Sequence, residues 1–267
     1  SIIKSGPELR RNFLDVAISQ LKPVYMGALQ RYQKILKERN RLIKEASESE
    51  SARRIMEDTV DVWSEQLAHE GAIIARYRVE YIRKIRQAAA LVFSDMTEGK
   101  EAPDFHYLGT AHLSCEEDYL DTKKTKDAYL ELLTTSHARE IGAGYTLWGI
   151  HRDDVDITLN GVCARLFASQ GQQRSLALAM KLAEGEICKS ESGEYPILLF
   201  DDVFSEYTSS HELIKVKTTN MGSMFRLTYN LIIKDISKEK EMIDKLRCRN
   251  GNLEITVSKQ ETTVAEL

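Results

Sequence analysis

The 267-residue sequence contains only four cysteines and four prolines, and it has no long apolar run. The cysteines are scattered without C-x-x-C spacing, which is typical of free thiols rather than a disulfide framework or a zinc motif. The six histidines do not recur at metal-ligand spacing, and neither G-x-S-x-G nor H-E-x-x-H occurs, so we predict no zinc site and no serine nucleophile. Without a signal-peptide pattern or a membrane-length apolar stretch, we expect a cytoplasmic protein that contacts no membrane.

A surplus of positive charge is also lacking. The formal net charge is -4, although almost a third of the residues are charged. Such a chain has no global basic field, so any contact with nucleic acid must come from a local patch.

A phosphate-binding P-loop is likewise missing from this sequence. That loop requires G-x-x-x-x-G-K-[ST], because consecutive backbone N–H groups and a lysine surround the phosphates. The Gly99-Lys100 pair is followed by Glu101, and Ser94 stands where the first glycine is needed. If the chain handles a nucleotide, we expect it to supply half of the site and not to hydrolyse ATP alone.

Apolar residues recur at helical spacing in two long stretches near the start of the chain. The first covers residues 7–46, with a break or kink at Pro23, and the second covers about residues 51–93. An acidic turn, residues 45–50, joins them. This pattern predicts a helical hairpin, the arm, that projects from a globular body.

The second half of the first stretch also has a basic face. We list its members as Arg31, Lys34, Lys37, Arg39, Arg41 and Lys44. A solvated helix face and a DNA-facing surface both explain such a run, and the residues alone do not decide between them. For the DNA interpretation, the candidate contacts are Arg31, Lys34, Lys37, Arg41 and Lys44.

The strongest chemical signal lies between residues 168 and 206. A polar turn opens an apolar helix with the sequence Ser169-Gln170-Gly171-Gln172-Gln173-Arg174. About two dozen residues later, the apolar run Ile197–Phe200 ends in Asp201-Asp202. A helix N-terminus suits a phosphate, and carboxylates after a buried strand suit Mg²⁺ and an attacking water. Ordinary alternatives are a plain N-cap, a loop start, and a structural ion pair for Arg174.

These two segments resemble the signature loop and the Walker B strand of ATP-binding-cassette (ABC) ATPases. The form of the signature loop is similar to that of the RecF family of bacterial DNA replication and repair proteins. Two further stretches support that family, Ile150-His151-Arg152-Asp153-Asp154 and residues 5–15. The resemblance covers about residues 1–206, and in RecF proteins the P-loop lies ahead of the part that matches Ser1.

The resemblance implies an α/β fold, with an ABC-ATPase-type core of a sheet flanked by helices and a long helical-hairpin arm. It implies an arm at residues 1–100, an ATPase lobe at 101–206 and a poorly matched β-rich segment at 207–267. Apart from the resemblance, apolar alternation predicts strands at 154–159 and at 225–233. Turn residues predict a hairpin partner at 162–167 and a further strand around 253–257, and residues 113–115 are another candidate. The β-rich segment suggests that parts of the chain are missing or reordered around Tyr207.

The resemblance also assigns roles to the candidate residues. Ser169, Gln170, Gly171 and Gln172 would contact the γ-phosphate of ATP held by another subunit. Asp201 would hold Mg²⁺ through a water, and Asp202 would occupy the general-base position. No definite catalytic role follows for residues 151–154, for which structural pairing is the expected use.

The function implied by the resemblance is recombinational DNA repair and replication-gap repair. A RecF-like, weakly hydrolysing ATPase would dimerise with ATP on DNA at gaps or single-strand/duplex junctions. It would cooperate with the RecR and RecO mediators in loading recombinase. The alternative is a nucleotide-insensitive structural module, similar to SMC or Rad50 scaffolds, that binds DNA or protein. Helices of about forty residues are far too short for an SMC coiled coil.

Overall fold

The computed structural model describes residues 2–193, 206–219, 224–249 and 255–258. The chain forms two compact units, Ser1–Gly193 and Glu194–Leu267. The three-part division predicted from the sequence has different boundaries, and it stays a prediction.

The first unit is built on three helices: α1 (Pro7–Leu21), α2 (Pro23–Glu48) and α3 (Glu50–Thr97). The helices α1 and α2 each begin with a proline. Proline suits the first helical turn, because a backbone N–H at that position would have no acceptor within the helix. The extended Lys22 separates them, as the sequence predicted at Pro23. The turn expected over residues 45–50 is wrong in length, since Ser49 is the only residue between α2 and α3.

The helices α2 and α3 form the predicted hairpin through one buried face each. On α2 the buried positions follow a spacing of three and four residues: Tyr25, Ala28, Tyr32, Ile35, Arg39, Ile43 and Ala46. Near Ser49, a small cluster of Ile43, Ala46, Met56 and Val60 is completed by Ile141 from a later helix. This part of the hairpin is therefore packed against the body.

A three-stranded antiparallel sheet packs beside the helices. Strand β1 (Pro103–Leu108) pairs with β2 (Asp154–Leu159), and β2 pairs with the short β3 (Val162–Cys163). The strand predicted over 154–159 is confirmed. The predicted partner over 162–167 is wrong after Cys163, where the helical turn α6 (Ala164–Phe167) begins. Alanine, arginine and leucine favour helix over strand, which explains the change.

The strand proposed for residues 113–115 is wrong. These residues lead into a 3-10 helix, Glu116–Leu120. It is followed by α4 (Thr122–Thr135) and α5 (His137–Ala143). After α6 comes α7 (Gln170–Ser192), which packs against α3 and α1. Its N-terminus is where the sequence predicted it.

The second unit contains an antiparallel ribbon of β4 (Thr208–Thr219) and β5 (Met224–Ile233). A 3-10 turn, Ile236–Lys238, leads to α8 (Glu239–Arg249). The strand predicted over 225–233 is confirmed as β5. Residues 255–258 form no strand. The predicted strand Ile197–Phe200 lies outside the described residues.

Candidate functional site

The signature-like turn is a capping box at the start of α7. The Ser169 Oγ accepts from the Gln172 backbone N–H at 3.2 Å, and the Gln172 side-chain oxygen accepts from the Ser169 N–H at 2.7 Å. This reciprocal pair fixes the first turn of the helix. The first turn carries no acidic residue, so the positive end of the helix dipole is not neutralised by its own side chains.

The space around Gly171, in the first turn of α7, is open to solvent. A Cβ added there would meet only the Ser169 Oγ, at 3.9 Å. Packing therefore does not require a glycine at position 171. A glycine inside a helix also costs up to about 1 kcal/mol relative to alanine. Ser169, Gln170 and Gly171 are all exposed. The predicted phosphate-contacting residues therefore form a rigid and accessible helix start.

Glu101 connects this turn to the end of the arm. Its carboxylate accepts from the Gln172 side-chain amide at 2.5 Å, and the Gln173 amide donates to the Ala168 carbonyl at 2.9 Å. Glu101 follows the C-terminus of α3 by a few residues, so one hydrogen bond links the arm's base to the cap. The alternative use of Arg174 in an ion pair finds no partner among the described residues.

The predicted metal and base residues, Asp201 and Asp202, lie outside the described residues. Within the described part of the chain, no cluster of three or more histidine, cysteine, aspartate or glutamate side chains could hold a metal ion. None of the described helices is both long and apolar enough to cross a lipid bilayer.

The two aspartates of the segment from His151 to Asp154 make structural contacts. Asp154 accepts two hydrogen bonds from Arg10, at 2.6 and 2.8 Å. Asp153 is completely buried and accepts from Tyr107, Tyr129 and Thr110. Arg11 donates to the Asp153 carbonyl at 2.9 Å. These contacts tie α1, α4 and β1 to the start of β2.

His151 is held in a neutral state between two partners. Its Nδ1 lies 2.7 Å from the Tyr32 hydroxyl, and its Nε2 lies 3.2 Å from the Thr146 carbonyl. Burial lowers the pKa of His151 to about 4. The unfolded chain therefore binds one proton more than the folded chain between about pH 4 and the unperturbed value near 6.5.

We expect the free energy of unfolding to rise by about 3 kcal/mol from pH 4 to pH 7 through His151 alone. This contribution is present in full above pH 6.5 and is lost as the pH falls toward 4. Urea titrations across that range measure the slope. A His151→Gln variant should flatten it, whereas the exposed His69→Gln control should not. Equal slopes in all three proteins would contradict this role.

The basic face of α2 is only partly available to a ligand. Lys34, Lys37 and Lys44 are exposed, and Arg41 forms weak surface pairs with glutamates one turn away on either side. Arg31 donates twice to Glu70, at 2.7 and 3.0 Å. These five residues remain candidate DNA contacts, with Arg31 already bound to a carboxylate.

The prediction that Arg39 belongs to the basic face is wrong. The side chain is 0% exposed and lies with Glu140, which is equally buried, at 2.7 Å. It also donates to Ser64 and Thr146, at 3.1 and 2.9 Å. Arg39 follows Ile35 and precedes Ile43 by four residues each, so its position on the apolar stripe was a readable signal.

Curated proteins similar to this chain are named DNA replication and repair protein RecF. The relative from Halothermothrix orenii is 38% identical over 248 residues, which are 92% of this chain and 65% of the relative. Those from Shouchella clausii and Bacillus mycoides are 38% and 39% identical, over 79% and 80% of this chain and 56% of each relative.

The chain is related to RecF proteins over most of its own length. It spans 56 to 65% of the length of these RecF relatives. The match with the H. orenii RecF includes 92% of the chain, so it continues past Tyr207. That continuity gives no support to the hypothesis of parts missing or reordered there. No protein-family model matches the chain.

Solved RecF structures share the fold. The recombination mediator protein RecF-ATPrS in the RecFOR pathway gives a TM-score of 0.68 at 33% identity, covering 73% of this chain and 50% of that chain. The RecF-ATP structure gives 0.66 at 32% identity, over the same shares. The predicted fold class is confirmed: an α/β protein of the ABC-ATPase type with a long helical hairpin.

Sequence reasoning missed another buried arginine of this RecF-related chain. Arg78 on α3 pairs with Asp15 at 2.8 Å and donates to the Ile150 carbonyl at 2.8 Å. Tyr25 donates to the same aspartate. Arg78 lies four residues from both Ile74 and Ile82 on the buried stripe of α3, and that spacing was the available signal.

Proposed function

We propose that this chain is the signature-bearing part of a RecF-type ATPase that acts on DNA in recombinational and replication-gap repair. The observation that supports it best is the open, capped start of α7, in a chain related to RecF proteins over most of its length. The proposed cofactors are ATP and Mg²⁺.

In this proposal the first turn of α7 binds the triphosphate held by another subunit, one that carries the P-loop. The Ser169 hydroxyl and the backbone N–H groups of Gln170 and Gly171 are the donors, because the first amides of a helix have no intrahelical partner. Gln172 keeps the turn rigid through the cap. Asp201 would hold the metal through a water, and Asp202 would orient and deprotonate the attacking water.

ATP-dependent dimerisation would then place two arms on one DNA molecule. The exposed cations of α2 contact phosphates, which gives affinity that depends on salt and tolerates any sequence. A gap or a single-strand/duplex junction is the proposed target, with RecR and RecO as partners in loading recombinase. The second solved structure of a RecF protein carries ATP in its name, which is consistent with this cofactor.

We expect that replacing Lys34, Lys37 and Arg41 by glutamate lowers the affinity for duplex DNA at low salt by tenfold or more. Three phosphate contacts also account for a decrease of about three in the slope of log affinity against log salt. Fluorescence anisotropy at several salt concentrations measures both quantities.

The matched control reverses three exposed cations outside the arm, Lys123, Lys124 and Lys181. The net charge then changes by the same amount, so a general loss of charge cannot explain a difference. Equal affinities of the two triple variants would exclude the arm as the DNA contact.

A further inference from the structure

The segment from Gly144 to Arg152, which we call the aromatic loop, joins α5 to β2 and has an unusual surface. It presents Tyr145 with 43% of its area exposed, and the half-buried Trp148 three residues later. Nothing in the proposed ATP site or the arm uses these rings.

The backbone of the aromatic loop is rigid. The amide and the hydroxyl of Thr146 both donate to the Asn40 side chain, at 2.8 and 2.7 Å. The Leu147 amide donates to the buried Glu140 at 2.9 Å, and the Arg152 amide closes a turn onto Gly149 at 2.8 Å. A preorganised surface loses little conformational entropy when it binds a ligand.

An arginine side chain lies over each of the two rings. The Arg152 guanidinium lies 4.8 Å from the centre of the Tyr145 ring, and that of Arg139 lies 5.9 Å from the Trp148 ring. The exposed His112 ring also packs against Trp148, with the ring centres 5.2 Å apart. A guanidinium that lies over an aromatic ring stays charged, and the ring holds it in a fixed position.

These two arginines have surplus charge. Among the described residues, neither Arg139 nor Arg152 has a carboxylate within ion-pair distance. The nearby acids are already used: Glu140 by Arg39, Asp153 by two tyrosines and a threonine, and Asp154 by Arg10. An external anion is therefore the available partner for both guanidinium groups.

We propose that the aromatic loop is a binding surface for unpaired nucleotides, with bases stacking on Tyr145 and the arginine planes and with phosphates bound by Arg139 and Arg152. A base exposes its face only when it is unpaired, and alternating rings and cations are the features that bind single strands. The inference rests on the proposed DNA-binding function. It assigns the single-stranded side of the target to the aromatic loop and leaves the duplex side to the arm.

The test is fluorescence anisotropy of the full chain with labelled oligo(dT) and with a duplex of equal length. We expect Tyr145→Ala and the double variant R139A/R152A each to lower the affinity for oligo(dT) about tenfold, through one lost stacking contact in the first and two lost phosphate contacts in the second. Tyr145→Phe should retain wild-type affinity, because the ring remains. Duplex affinity should change less than twofold in each.

The matched control is Lys181→Ala, which removes another exposed cation that lies over a ring, 5.0 Å from the centre of Phe13. It should bind oligo(dT) like the wild type. Wild-type affinity in Tyr145→Ala and in R139A/R152A would overturn the inference, and so would an equal loss for duplex and single strand. If the unmodified chain binds neither DNA, the proposed function fails as well, which is a separate and distinguishable result.

Discussion

Arg39→Ala should lower the free energy of unfolding by about 3–5 kcal/mol. The guanidinium is fully buried and binds Glu140, Ser64 and Thr146, which belong to α5, α3 and the aromatic loop. Removing it leaves the Glu140 charge buried without its cation, which costs far more than the pair itself contributes. Urea unfolding followed by circular dichroism measures the change.

Arg41→Ala is the control for this prediction. Arg41 lies on the same helix, is exposed, and pairs only with Glu38 and Glu45 at the surface. Pairs of this kind contribute about 0 to 1 kcal/mol, so the variant should unfold almost like the wild type. If Arg39→Ala and Arg41→Ala destabilised the chain equally, the buried position of Arg39 would be wrong.

Asp153→Ala should have an effect of similar size, about 3–5 kcal/mol. The carboxylate accepts from the Tyr129 hydroxyl at 2.8 Å, from the Thr110 amide and hydroxyl at 2.7 Å each, and from Tyr107. Burial, reinforced by the charge of Asp153, raises the pKa of Tyr107 and of Tyr129. Without the carboxylate, these buried donors lose their acceptor.

Asp156→Ala is the control that separates the buried position of Asp153 from the loss of a negative charge. Asp156 lies on β2, three residues after Asp153, is half-buried, and makes no side-chain hydrogen bond among the described residues. Its loss should change the unfolding free energy by less than about 1 kcal/mol. Thermal unfolding of both variants gives the comparison, and an Asp153→Ala protein as stable as Asp156→Ala would exclude the buried network.

Local patterns in the sequence predicted much of the architecture. Apolar spacing and Pro23 placed α1 to α3, because amphipathic periodicity is a local property. The Ser169-x-x-Gln172 spacing predicted the helix start, since a capping box needs only four residues. The alternation over 225–233 predicted β5 for the same reason.

Features that depend on distant contacts were not predictable in the same way. Strand β1 was not predicted, because it is a strand through its pairing with β2, whose residues lie about fifty positions later in the chain. Arg39 was placed with the basic face because charge normally indicates solvent. Its burial depends on Glu140, a hundred residues later, and on hydrogen bonds to Ser64 and Thr146.

The central claim is that the start of α7 closes over a triphosphate held by another subunit. The most direct measurement is sedimentation velocity of the chain combined with a P-loop-bearing RecF lobe, with and without ATP and Mg²⁺. We predict ATP-dependent dimers that are lost in Ser169→Glu, whose carboxylate repels the phosphate. Ser49→Ala, a change at the N-cap of α3, should leave the dimers intact. No ATP-dependent dimer of the unmodified chain, or full dimerisation of Ser169→Glu, would contradict the account and favour a nucleotide-insensitive structural module.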